Sequence, residues 1–93
     1  MKKIRHMKIR DLRTTRTLNG QPFCWTRQQR GRVFGLKMHA SPMITHWVVR
    51  GKDGFWSVDG AQQDGVVWSK YRTVFIACAA VEARVFNQDF SLT

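Results

Sequence analysis

The sequence predicts an α+β protein: an antiparallel three-stranded sheet packed on one C-terminal helix, preceded by a β-hairpin and a basic N-terminal arm. Three observations carry this expectation. Short runs rich in β-branched and aromatic residues, separated by glycine-containing turns, fill residues 21–72. A single apolar stripe at helical spacing follows Thr73. The cations crowd into the first half of the chain.

Residues 1–20 hold few large apolar groups and end in Leu18-Asn19-Gly20, so they are expected to form a mostly mobile basic arm, with room for a short strand or helix at residues 7–12. In residues 21–27, Phe23 and Trp25 alternate with Cys24 and Thr26, which is the period of a strand. Gln28-Gln29-Arg30-Gly31 is a turn, and residues 32–38 are the return strand. Gly35 inside that strand points to a bulge or a close approach by another group. His39-Ala40-Ser41-Pro42 breaks the chain.

The meander comes next. Residues 44–50 (ITHWVVR) form its first strand, Gly51-Lys52-Asp53-Gly54 the hairpin turn, and residues 55–59 (FWSVD) the second strand. After a second turn at residues 60–65, residues 66–72 (VVWSKYR) form the third. Thr73 is placed to N-cap a helix from Val74 to about Phe86, with Val74, Cys78, Val81 and Val85 on its buried stripe and Asn87 at its end. Phe90 and Leu92 in the tail are expected to pack back on the sheet. Residues 21–93 thus read as one domain behind the arm.

A chain of 93 residues has a thin core and little room for a cleft between lobes. Its 16 Lys and Arg against 6 Asp and Glu give a net charge of +10. Residues 1–50 hold 12 of those cations and one acid, Asp11, for +11; residues 51–93 hold four cations and five acids, for −1. This balance disfavours an acid-rich calcium or magnesium site and favours an anionic partner. No apolar run is long enough to span a bilayer, and the charged start is not followed by the apolar stretch of a secretory signal. Cys24 and Cys78 have no closely spaced partner, so both are expected as reduced thiols in a cytoplasmic protein that has no membrane partner.

Alternation assigns the faces of the meander. Trp47 and Val49, Trp56 and Val58, and Val67 and Tyr71 are expected to point to the helix, leaving Arg50, Phe55, Trp68, Lys70 and Arg72 on the open face with His46, Val48 and Ser57. Cations there meet phosphates and aromatics stack on bases or sugars. A Trp beside cations also serves simply to cover apolar neighbours while the long stems snorkel, and a register slip of one residue exchanges the faces.

Residues 66–83 (VVWSKYRTVFIACAAVEA) resemble the third strand and helix of the three-stranded DNA-binding domains of plant ethylene-response-type transcription factors. The same fold occurs in phage homing-endonuclease accessory domains and in the arm-binding domains of tyrosine-recombinase integrases. Tyr71, Thr73, Ala77 and Ala80 stand at that class's aromatic, helix-start and alanine positions. Gly54-Phe55-Trp56 resembles its Gly-x-Trp opening of the second strand, and Arg50 matches a first-strand arginine. The resemblance covers about residues 45–86 and implies a sheet that enters the DNA major groove, with arginines and aromatics reading bases and phosphates. Ser69 replaces a usual glycine, and Ser57 and Asp59 stand where the class tends to place bases.

Catalysis finds no footing. His6, His39 and His46 form no motif with Cys24 or Cys78, and Asp53, Asp59 and Asp64 fall in or beside turns without forming a metal-binding pair. Zinc spacing and phosphate-cradle spacing are both missing, so the expectation is a non-enzymatic protein without cofactor or metal. The leading expectation is a small nucleic-acid-binding protein, with duplex DNA favoured over RNA, of the size of a phage or mobile-element regulator of transcription. Lys2, Lys3, Arg5, Lys8, Arg10, Arg13 and Arg16 of the arm would track phosphates. Arg27, Arg30 and Arg32 of the first hairpin, with Arg50, Trp68, Lys70 and Arg72, would set the register. The alternative is a protein-interaction module that docks on an acidic face of a host nucleic-acid-processing enzyme and inhibits or modulates it through exposed Trp and Arg.

Overall fold

The computed structural model describes residues 8–41, 43–60 and 69–86. They form helix α1 (Ile9–Arg13), strands β1 (Arg16–Leu18), β2 (Gln21–Gln28), β3 (Val33–Met38), β4 (Ile44–Arg50) and β5 (Trp56–Gly60), and helix α2 (Val74–Val85). The strands make one open antiparallel sheet in the order β1-β2-β3-β4-β5. α2 lies on one face of it.

The α+β class and the C-terminal helix are as expected, and the sheet is larger than three strands. The first hairpin does not stand apart: β3 pairs with β4, so hairpin and meander merge into one sheet. Paired with β2 alone, β3 would leave a row of open N–H and C=O groups along its other edge, and the next strand in sequence satisfies them. β1 adds a further strand at the other edge. Asn19 (φ 54°) and Gly20 (φ 76°) both take positive φ, the two-residue hairpin turn that twisted strands favour. Residues 8–20, expected as part of a mobile arm, are therefore α1 and β1. Of the short strand or helix expected at residues 7–12 the structure has the helix, and Asp11 starts it by accepting the Lys8 backbone N–H at 2.7 Å. Residues 66–68 of the expected third meander strand lie outside the described residues, and residues 69–72 form no strand. At its end Tyr71 makes one bridge to Trp56, with both N–H···O distances at 2.8 Å.

The core follows from alternation. Phe23 and Trp25 of β2, Phe34 and Leu36 of β3, Val48 of β4 and Val58 of β5 meet Val74, Ala77, Cys78 and Val81 of α2, with Leu12 of α1 joining them. The Phe23 and Phe86 rings are 4.7 Å apart between centroids. One face assignment is corrected: in β4 it is Val48 that is buried, and Trp47 and Val49 lie on the opposite face. Directly opposed residues of antiparallel strands share a face, and Val48 is opposed to both Phe34 and Val58. Arg50, opposed to Trp56, therefore leaves the open face too. Tyr71 packs against the core as expected. Both cysteines are free, and burial raises the Cys78 thiol pKa far above its usual value.

Three polar devices hold α2 in place. The Thr73 hydroxyl accepts the Ile76 N–H at 3.1 Å, the expected N-cap. Asn19 Nδ2 donates to the Phe86 carbonyl at 2.9 Å and closes the other end. Between them Glu82, 8% exposed, takes two donors on one oxygen: Arg16 Nη2 at 2.7 Å and Trp25 Nε1 at 2.8 Å. The Arg16 guanidinium also sits 4.9 Å from the Phe23 ring centroid. This node ties β1, β2 and α2 together, and it turns Arg16 inward, away from the phosphate-tracking role expected of it.

Gly35 is the close approach that its position in a strand implied. An ideal Cβ there would lie 2.8 Å from Trp47 Cζ3 and 3.0 Å from Ile44 Cγ2, beside the register shift between Gly35 and Lys37. The Trp47 ring thus roofs Gly35 on the open face.

Two outcomes follow. Glu82→Ala strands a guanidinium and an indole N–H, and urea unfolding should show a loss of about 2–3 kcal/mol; an unchanged midpoint would show that the node adds no stability. Gly35→Ala should cost about 1–3 kcal/mol by overpacking against Trp47. In the Trp47→Ala background that cost should largely vanish, which a double-mutant cycle measures.

Candidate anion-binding surface

Because each strand pairs with its sequence neighbours, the β2–β3 turn and the β4–β5 turn fall at the same end of the sheet. The Trp56–Tyr71 bridge brings residues 70–73 and the start of α2 to that end as well. These three segments carry Arg27, Arg30, Arg32, Arg50, Lys52, Lys70 and Arg72, and among their described residues the only carboxylate is Asp53.

The β2–β3 turn is a 3-10 turn (Gln29–Gly31) in which Gln29, Arg30 and Gly31 all have positive φ, at 48°, 57° and 88°. Non-glycine residues rarely adopt that region, and here it raises exposed Arg30 at the tip. Arg27 folds over the turn; a Cβ on Gly31 would lie 3.1 Å from its Nε. The Arg50 N–H donates to the Arg32 carbonyl at 2.9 Å and so fastens this turn to the end of β4. In the β4–β5 turn the Gly51 N–H donates to the Phe55 carbonyl at 2.8 Å and the Gly54 N–H to the Gly51 carbonyl at 3.0 Å.

Two clefts open here. One of about 350 Å³ is lined by Arg32, Arg50, Gly51, Lys52 and Gly54, with three cations and, among the described residues, no carboxylate in its wall. The other, of about 380 Å³, is lined by Gly51, Lys52, Asp53, Phe55, Ser57 and Lys70. They share Gly51 and Lys52. Asp53 Oδ2 accepts from Lys70 Nζ at 2.9 Å, and its Oδ1 accepts the Phe55 N–H at 3.0 Å. The Lys70 hydrogen bond first, then the Phe55 N–H, hold the Asp53 carboxyl below its usual pKa. It therefore takes up its proton at a lower pH than an isolated aspartate does. An exposed pair of this kind adds little stability and chiefly orients its members.

Of the expected site residues, Arg27, Arg30, Arg32, Arg50, Lys70 and Arg72 are thus brought to one end. Lys8, Arg10 and Arg13 are exposed on or beside α1, which packs against β2, and none of them lines the clefts. Arg16 is committed to Glu82. Lys2, Lys3, Arg5 and Trp68 lie outside the described residues. Sequence reasoning passed over Lys52, which it treated only as part of a turn; its place two residues after Arg50 was the available signal. The open sheet face was expected to be basic, and the described strands place a single cation on it, Lys37. Among the described residues no group of His, Cys, Asp and Glu side chains could hold a metal, and no helix is long and apolar enough to cross a membrane. Burial holds His46 below its ordinary pKa.

A cleft walled by three cations offers a small oxyanion charge-assisted hydrogen bonds. Inorganic phosphate at ten times its Kd should stabilise the fold by about 1.4 kcal/mol. For a domain of this size that is a Tm increase of roughly 5–10 °C. The readout is the difference from the Arg32→Gln/Arg50→Gln variant, because phosphate also acts as a general stabilising salt; equal increments in both proteins would exclude the cleft as an anion site. Among known proteins, no family model matches this chain, and neither a curated protein nor a solved structure matches it.

Proposed function

We propose that this is a nucleic-acid-binding protein, with duplex DNA as its main partner, that docks through the cationic end of its sheet. The observation that carries this reading is the convergence of seven cations from three chain segments on one end, where Asp53 is the single carboxylate among their described residues. Like charges gathered in this way oppose folding, and a polyanion relieves them. Five of the seven are arginines, whose planar forks match phosphate oxygens in pairs. Of the β2–β3 hairpin only the projecting turn, not the merged sheet, is narrow enough for the major groove of B-form DNA, which admits a two-stranded ribbon. With Arg30 at its tip in the groove, Arg27 and Arg32 stand beside it for the flanking phosphates.

This mode differs from entry by the sheet face, the docking that the resemblance of residues 45–86 implies. The turns at the sheet's end supply the cations here. Exposed Lys8, Arg10 and Arg13 add positive charge away from the clefts and strengthen long-range attraction.

Engagement of about seven phosphates predicts that affinity for duplex DNA falls roughly 10³–10⁴-fold between 50 and 200 mM salt. Replacing Arg32 and Arg50 by Gln should flatten the log–log slope by about one for each cation removed. Fluorescence polarisation against salt measures both. A flat salt response, or an unchanged slope in the double variant, refutes docking by this end.

A further inference from the structure

The two clefts differ in chemistry, and they share a wall. The first offers three cations, and among the described residues its lining contains no carboxylate. The second contains the Asp53 carboxylate, which repels a phosphate, and Phe55, whose side chain is 41% exposed and belongs to no core cluster. Among the described residues Phe55 is the one exposed aromatic. Both volumes fall in the range of about 300–1,000 Å³ that small-molecule sites occupy.

We propose that the two clefts together seat one unpaired nucleotide, its phosphate held by Arg32, Arg50 and Lys52 and its base laid against the Phe55 ring. This rests on the reading that the cationic end binds nucleic acid, and it names the substructure recognised: an unstacked nucleotide at a duplex end or overhang. A base inside a duplex has both faces covered by its neighbours, so only an unpaired one presents a face to Phe55. The edge of the second cleft gives a preference. Each Asp53 oxygen retains a further acceptor position beside the bond it already accepts, and Lys70 Nζ has donors left over. A base with an amino donor beside an acceptor, as cytosine has in its 4-amino group and ring N3, meets both groups. Thymine offers Asp53 only its ring N3–H, flanked by two carbonyl oxygens that the carboxylate repels.

The test compares a short blunt duplex with the same duplex extended by a few unpaired dC or dT nucleotides, by polarisation at one salt concentration. The dC extension should bind about tenfold more tightly than the blunt duplex, and the dT extension less tightly than the dC. Phe55→Ala and Phe55→Leu should erase the gain from the extension and leave blunt-duplex affinity and Tm unchanged. The Leu variant keeps an apolar side chain, so its loss isolates the aromatic face. Arg32→Gln/Arg50→Gln should weaken every DNA. Equal binding of blunt and extended duplexes, or Phe55 variants that weaken both alike, overturns the nucleotide seat and leaves duplex docking standing. Failure to bind any of these DNAs overturns the nucleic-acid reading itself.

Discussion

Every strand of this protein pairs with its neighbour in sequence, and that constraint organises the molecule. In such a sheet alternate turns fall at the same end, so residues around positions 30 and 52 become neighbours without a crossover connection. The bridge from Trp56 to Tyr71 then carries a third segment to the same end. Cations spread over residues 27–72 of the chain become one surface for this topological reason alone. The hydrogen bond from the Arg50 N–H to the Arg32 carbonyl is the local expression of that arrangement.

The rest of the fold opposes this crowd of charge with a small core and one buried polar node. Phe23, Trp25, Phe34 and Val48 supply the apolar area under α2. Glu82 adds direction, because its carboxylate accepts from both β1 and β2 and so restricts how α2 can lie across the sheet. The cationic end departs from local preference in several ways at once. It has left-handed backbone at Gln29 and Arg30, clustered like charges and an exposed phenylalanine. Such departures concentrate where a surface is shaped for a ligand.

Much of the fold could be read in advance. The alternation around Phe23 and Trp25, the glycine turn at residues 51–54, the Thr73 cap and the stripe through Val74, Cys78 and Val81 are local features, and each forms as its residues imply. Gly35 likewise announced the approach of another group, though not that the group would be Trp47. The Asn19-Gly20 turn was also written locally. Its flanking strand, Arg16-Thr17-Leu18, lacks the apolar alternation that would mark it as part of the sheet.

The sequence by itself determined where β2 to β5, the turns between them and the C-terminal helix form, and that the first half carries a large positive excess, because these depend on short-range preference and composition. Tertiary structure alone decided which face of β4 is buried. In ITHWVVR adjacent positions are both apolar, so periodicity cannot choose, and opposition to Phe34 and Val58 does. It also decided that Arg16 is structural while Arg32 and Arg50 line a cleft, since Glu82 lies 66 residues away from Arg16 in the chain. Charge is visible residue by residue, but the partner that consumes it or leaves it to a ligand is set by long-range pairing.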